Sequence, residues 1–219
     1  MNEQGSLIVV GAGPGLGAAA ARRFGRHGHQ VGLIARTPAT LTALAEDLRQ
    51  DGVTAATATA DITDTAALQT ALGEVEAQVG AAEVVLFSPR PSLEWIKPVL
   101  ETGPDDIQHA VALSVAAAAA TAQALTPGMR RRGRGTLLFT TGGAAVEPHR
   151  DRAVSAIAYA AESAYVRLLH ETLADDGVHV AQATIVGPIG TGLTHEPDDV
   201  AERLWQLHTE RTRSLLVLR

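Results

Sequence analysis

Leu7-Ile8-Val9-Val10-Gly11-Ala12-Gly13-Pro14-Gly15-Leu16-Gly17-Ala18 carries the decisive reading of this chain. Four consecutive apolar residues have the character of a strand covered on both faces, and an alanine-rich stretch of helical length, Ala18 to His27, follows the glycines. A glycine turn between a strand and a helix lets backbone N–H groups and the positive helix end approach a pyrophosphate with no side chain in the way. The strict Gly-x-Gly-x-x-Gly spacing is absent, since Gly13-x-Gly15 is completed by Ala18. The alternative is a tight turn whose glycines serve packing alone.

Outward from this loop, short apolar runs alternate with helical stretches. Val31 to Ile34, Val53 to Ala60, Val84 to Phe87, Thr136 to Phe139, Val178 to Ile185 and Leu215 to Leu218 read as further strands. Pro38 to Gln50, Asp64 to Val79, Asp105 to Met129, Ser155 to Asp175 and Asp198 to His208 read as helices, with Thr37 and Thr63 as expected caps. The alternation predicts one α/β domain over residues 1–219: a Rossmann-like, doubly wound parallel sheet of about seven strands with helices on both faces. Such sheets bind ligands outside the carboxyl ends of their strands.

Composition narrows the class. The 219 residues are 46% hydrophobic and 19% charged, and the net charge is −6, which argues against a nucleic-acid backbone as partner. No apolar run approaches a bilayer span, and Met1-Asn2-Glu3-Gln4-Gly5 lacks the charge and length of a signal peptide, so a cytoplasmic protein without a membrane partner is expected. There is no cysteine, and no histidine pair stands at ligand spacing beside a carboxylate cluster, so no metal is expected. The only lysine is Lys97.

The glycines also fit Gly11-x-x-x-Gly15-x-Gly17, and with Ala158-Tyr159-Ala160-Ala161-Glu162-Ser163 the chain resembles the short-chain dehydrogenase/reductase family. The resemblance implies a dinucleotide held by Gly11, Gly13, Pro14, Gly15, Leu16 and Gly17. It implies that Arg36 and Thr37, at the end of the second strand where NAD-binding relatives carry an acid, receive the 2′-phosphate of NADP(H), with NAD(H) disfavoured. It places Asp61 and Ile62 at the adenine, Ser88 after the fourth strand, and Gly187, Ile189 and Thr191 at the nicotinamide carboxamide. Asp61 alternatively caps a helix, and Arg36 alternatively is a solvated residue.

The same resemblance implies a catalytic set of Tyr159, Thr141, Ser114 and Ser163. Tyr159 falls at the family's tyrosine and Thr141 at its serine, with Thr140 the second choice. Ser114 stands where the family has asparagine, and Ser163 stands where it has the lysine that lowers the tyrosine pKa. Lys97, Arg90 and His149 are candidate substitutes, each with the alternative of a solvated loop residue. Without the ammonium the tyrosine stays protonated, which favours NADPH-dependent reduction of a carbonyl or imine of a small-molecule substrate. The alternatives are a non-redox lyase, isomerase or cyclase on the same fold, and an inactive NADP(H)-binding protein. The alanine-rich helix 105–129 and the helix carrying Tyr159 are expected to form a homodimer or homotetramer.

Overall fold

The computed structural model describes residues 5–219, so the reading of the N-terminal Met1 to Gln4 lies outside the described residues. Seven strands form one sheet: β1 (Ser6–Val10), β2 (Gln30–Ala35), β3 (Ala55–Thr59), β4 (Val84–Phe87), β5 (Gly135–Gly142), β6 (Val178–Ile185) and β7 (Leu215–Leu218). Their order is β3-β2-β1-β4-β5-β6-β7 and every pairing is parallel. The expected doubly wound, Rossmann-like sheet is therefore the observed one. Its strand order reverses between β1 and β4, which opens a crevice at their carboxyl ends.

The helices are α1 (Leu16–Arg26), α2 (Pro38–Gln50), α3 (Thr65–Val79), α4 (Pro104–Val111), α5 (Ala117–Arg132), α6 (Ala153–Leu173) and α7 (Pro197–Glu210). Side chains alternate across each strand, so the sheet has two apolar faces, each covered by helices. Leu7, Val9 and Leu138 pack beneath α1, α2 and α7, with Phe24, Leu44 and Leu204 as anchors. Ile8, Val10, Phe87 and Phe139 face α3, α5 and α6 through Leu72, Leu125 and Val166. β4 is apolar throughout and β1 is so after Ser6 because both faces are buried, while β6 is buried along its length but carries His179, Gln182 and Thr184.

Three expectations are corrected. The cap of α3 is Asp64, whose carboxylate accepts from the N–H groups of Ala66 and Ala67, because its short acidic side chain reaches both. The strand expected over Val53 to Ala60 is confined to Ala55–Thr59, since the Val53 N–H still closes the α2 turn on Leu48 O. The stretch expected as one helix over 105–129 is interrupted by a π turn at Ala112–Ala116, which carries Ser114, before α5 runs on past Pro127 to a left-handed Gly133.

The same Pro104–Arg132 stretch is long and apolar enough to cross a membrane by length and composition, contrary to the reading of no such run. Its alanines are small enough to let it approach α3, and Ala117, Ala118 and Ala122 are buried in the core.

Candidate active site

The glycine loop is shaped by close approach on one side and open space on the other. Gly11 has φ +85°, and a Cβ there would stand 2.6 Å from the Pro89 Cα, so only glycine lets the loop pass the exit of β4. The N–H groups of Gly11 and Ala12 both donate to Ile34 O, at 3.0 and 2.9 Å, which ties the loop to β2. By contrast, a Cβ on Gly13 or Gly15 would meet nothing within 4 Å. Gly15 caps α1 without a side-chain hydrogen bond and the Ala18 N–H is tied back to Gly13 O at 2.9 Å, which leaves the Leu16 and Gly17 amide groups of that helix end to an anion. Leu16 and Gly17 are buried in the first turn, Gly17 closing on Ala12, whereas Pro14 is exposed.

Beside the loop lies a cavity of about 170 Å³ bounded by Gly13, Arg36, Thr37, Ile62, Arg90 and Leu113 among others. A larger hollow of about 450 Å³, between Pro14 and the outer side of α2, is remote from Tyr159 in sequence and lined mostly by α2. The smaller one lies at the strand-order reversal, and two arginines, Arg36 and Arg90, are among the residues that line it. Asp61 stands near this rim, where its carboxylate accepts from the Thr63 N–H at 3.0 Å and hydroxyl at 2.7 Å. Those bonds, and then the charges of Arg36 and His109, hold Asp61 below the usual carboxylate range. Ser88 continues β4 through its N–H to Val10 O, and its Oγ accepts from the Thr140 hydroxyl at 2.7 Å.

On the catalytic side, α6 brings Tyr159 to the end of β5. The residue whose missing side chain faces the tyrosine is Gly142: a Cβ there would lie 3.2 Å from Tyr159 Cε2. Burial, reinforced by the neighbouring Glu162, pushes the Tyr159 phenol up to about 12. Thr141 is only 3% exposed, and its hydroxyl belongs to a buried network rather than to the crevice. The Gln182 amide nitrogen donates toward Thr141 Oγ1 at 2.9 Å, Ser163 Oγ at 2.8 Å and Thr184 Oγ1 at 3.0 Å, and the two threonine hydroxyls are 3.0 Å apart. This corrects the placement of Thr141 at a substrate carbonyl: alternation along β5 turns it beneath α6, one residue short of the position facing Tyr159.

Ser163 is engaged in the same way. Its hydroxyl donates back to Tyr159 O at 2.7 Å while accepting from Gln182, so it holds the helix on the sheet. Ser114, 5% exposed in the π turn, lies within hydrogen-bonding reach of the Glu162 carboxyl group. Glu162 itself is 1% exposed, and its Oε1 has no hydrogen-bond partner. Sequence reasoning missed both Glu162 and Gln182. The available signals were an acid three residues after Tyr159, hence on its helix face, and an amide within the strand stretch Val178 to Ile185.

The remaining candidates are held elsewhere. Lys97 is committed to Asp106, Nζ to Oδ1 2.7 Å, and leans over Trp95, itself stacked on His109 at 4.0 Å. His149 is exposed and its Nδ1 accepts from the Asp151 N–H. After β6 the chain folds tightly on itself. Gly187 has φ +121° against Thr194, Ile189 packs toward the α1–α7 core, and Thr191 is exposed. The Gly190 N–H donates to His195 O and the Gly192 N–H to Glu196 Oε1.

A glycine loop on open space, a strand-order reversal and a tyrosine on α6 are features whose combination can be compared with known proteins. The chain is 29% identical over 176 residues to a fatty acyl-CoA reductase of Mycobacterium tuberculosis, covering 79% of this chain and 59% of that protein. It spans little more than half the length of that relative and of the next curated one it matches. In fold it is similar to L-sorbose reductase from Gluconobacter frateurii in complex with NADPH and L-sorbose, with a TM-score of 0.87, 20% identity and coverage of 98% and 94%. It is similar also to a short chain oxidoreductase of Pseudomonas aeruginosa described as containing an atypical catalytic centre, with a TM-score of 0.89, 17% identity and coverage of 99% and 96%. The family model for short chain dehydrogenases matches residues 6–200, nearly all of the sheet and its helices, and the chain belongs to that family.

Proposed function

We propose that the protein is an NADPH-dependent reductase in which Tyr159 donates the proton. The observation that carries this reading is the Tyr159 ring set on α6 against Gly142 at the carboxyl end of β5, where burial pushes the phenol up and keeps it an acid at neutral pH. The residues fit the cofactor. Gly13 and Gly15 leave open space over the free amides of α1, and Arg36 with Arg90 offers guanidinium groups to a 2′-phosphate. When bound, the reduced nicotinamide supplies the hydride.

The chain's own part is to bind, to orient and to move a proton. Ile62 and Leu113 border the crevice with apolar surface, and Pro89 closes it at the exit of β4. Tyr159 O–H donates to the oxygen of the substrate carbonyl, and Gly142 keeps the space against its ring free. Thr141, Ser163, Thr184 and Gln182 hold α6 in register on β5 and β6 beneath it. Alcohol oxidation requires the phenolate as base and is therefore the disfavoured direction.

The mouth supports an apolar carbonyl substrate. Leu93, Val99 and Leu100 are exposed in the segment after β4, Val146 and Leu193 in the connections after β5 and β6, and Ile157 on α6. The M. tuberculosis relative is named as a fatty acyl-CoA reductase, and another relative, from Coprinopsis cinerea, as a very-long-chain 3-oxoacyl-CoA reductase. Leu168, exposed on α6, supports the homo-oligomer expected through that helix. Titration with NADPH and NADH, then nicotinamide absorbance with long-chain 3-oxoacyl thioesters, aldehydes, imines and a polyol-derived ketose, tests the reading. NADPH preference of about tenfold or more, and turnover of the apolar carbonyls, is expected. Tight NADPH binding with no turnover of any member favours the inactive binding protein, a reading to which the engagement of Ser163 and Lys97 contributes.

A further inference from the structure

Glu162 is a carboxyl group inside the molecule that the mechanism above leaves unused. It lies three residues after Tyr159 on α6, so both side chains occupy one face of the helix one turn apart. It is 1% exposed, Oε1 lacks any hydrogen-bond partner, and Ser114 reaches it from the π turn. A buried carboxylate without a cation is costly, and a buried carboxylic acid with one hydrogen-bonding neighbour is much less so. A π turn displaces one residue from the regular helical row, and here it sets Ser114 against α6.

We infer that the Glu162 carboxylic acid, seated by Ser114, is the proton store that recharges Tyr159 after each turnover. The inference rests on the reading of Tyr159 as donor. The substrate oxygen takes the Tyr159 proton and leaves a phenolate. The Glu162 O–H bond then breaks, the phenol O–H bond re-forms, and the carboxylate left behind recovers a proton from solvent. No electrons move in this step, and one solvent proton is consumed per carbonyl reduced. Burial keeps Glu162 protonated well above the ordinary carboxyl range, opposed only in part by Ser114. While it is protonated, the repulsion that raises Tyr159 is relieved. Its surroundings offer little else that titrates. Thr141 and Gln182 line the strands beneath α6, Asp106 of α4 is paired with Lys97, and His109 is stacked on Trp95.

Glu162 acts through Tyr159 and is thus a positioning residue, so the test needs more than lost activity. In the wild type, kcat for reduction should fall as pH rises through the Glu162 titration. Glu162→Gln keeps the shape but has no proton to release; kcat should drop about tenfold or more and that alkaline decline should vanish. Infrared titration of the unliganded protein should show a protonated carboxylic acid at neutral pH that E162Q lacks. Ser114→Ala, which removes support for the ionised form, should move the decline to higher pH. A wild-type kcat and profile in E162Q, no carboxylic-acid band in the wild type, or an unmoved midpoint in S114A would each overturn the inference. Should E162Q not fold, the band and the S114A shift decide alone. Tyr159→Phe separates the two readings: retained activity there refutes the donor assignment, while the infrared band still reports on Glu162 independently.

Discussion

At the amino ends of the strands, His29, His179 and His208 are packed among Phe24, Trp205 and Arg211; toward the carboxyl ends, Tyr159 and Glu162 are buried on one face of α6. Both sets are buried ionisable groups kept in their neutral forms, and desolvation is the leading cause in each. The sign of the consequence differs. A histidine pays for burial in its protonated form and a carboxyl group in its deprotonated form. The first end therefore loses stability in acid and the second in alkali. Each end also keeps buried polar atoms without a partner, His29 Nδ1 and His179 Nε2 at the first and Glu162 Oε1 at the second. The histidine end differs in its other bonds, from His208 Nδ1 to Thr136 Oγ1 at 2.9 Å and from Arg211 to Gly135 O.

The largest effect expected from this contrast is acid destabilisation. His179 and His208 are both lowered to about 4 from an ordinary 6.5. Their contribution is whole above 6.5, and it is lost as pH falls through 4, on the order of 1–2 kcal/mol each once solvent screening is allowed for. Denaturant unfolding at pH 7.0, 5.5 and 4.0 measures it, and His208→Phe should flatten the curve. Equal unfolding free energies at pH 7.0 and 4.0 would break the contrast at this end. Next in size, Tyr159→Phe should lower kcat by about a hundredfold or more with NADPH affinity unchanged, as read by steady-state kinetics and fluorescence titration.

Smaller and opposite in sign is the stability effect of Glu162. Its folded pKa is raised, so its contribution is whole below 4.5 and is lost as pH rises through the folded value. Glu162→Gln should therefore melt higher than the wild type at pH 8, by an amount worth about 1 kcal/mol or more, with the gap shrinking toward pH 5. A gap that widens in acid would reverse the assignment. The smallest change is expected from Thr141→Val. Losing one acceptor for Gln182 should cost about 1 kcal/mol in stability and leave kcat within a few-fold, because that hydroxyl faces the network and not the substrate.

Much of the scaffold is legible in the residues because its signals are local. The wholly apolar runs Leu7 to Val10 of β1 and Val84 to Phe87 of β4 require cover on both faces, and the alternation with helices leaves a parallel sheet as the consistent solution. The loop Gly11 to Gly17 is legible for the same reason: its backbone needs positive φ at Gly11 and free amides at α1, and only glycine meets both demands. The catalytic side is harder. The end of β5 offers Thr140, Thr141 and Gly142 in succession, and a one-residue difference in register decides which of them faces Tyr159. The π turn at Ser114 has no local signature, since alanines and valines there suit a regular helix equally well.

The chain's pattern alone thus determined the α/β class and the glycine turn between β1 and α1, both consequences of periodicity and backbone freedom. Only the tertiary structure decided that Thr141 is buried, that Lys97 is spent on Asp106, and that Glu162 lies in the dark beside Tyr159. Burial and hydrogen-bond partners are set by chain segments far apart in sequence, and those segments control whether a side chain keeps its proton.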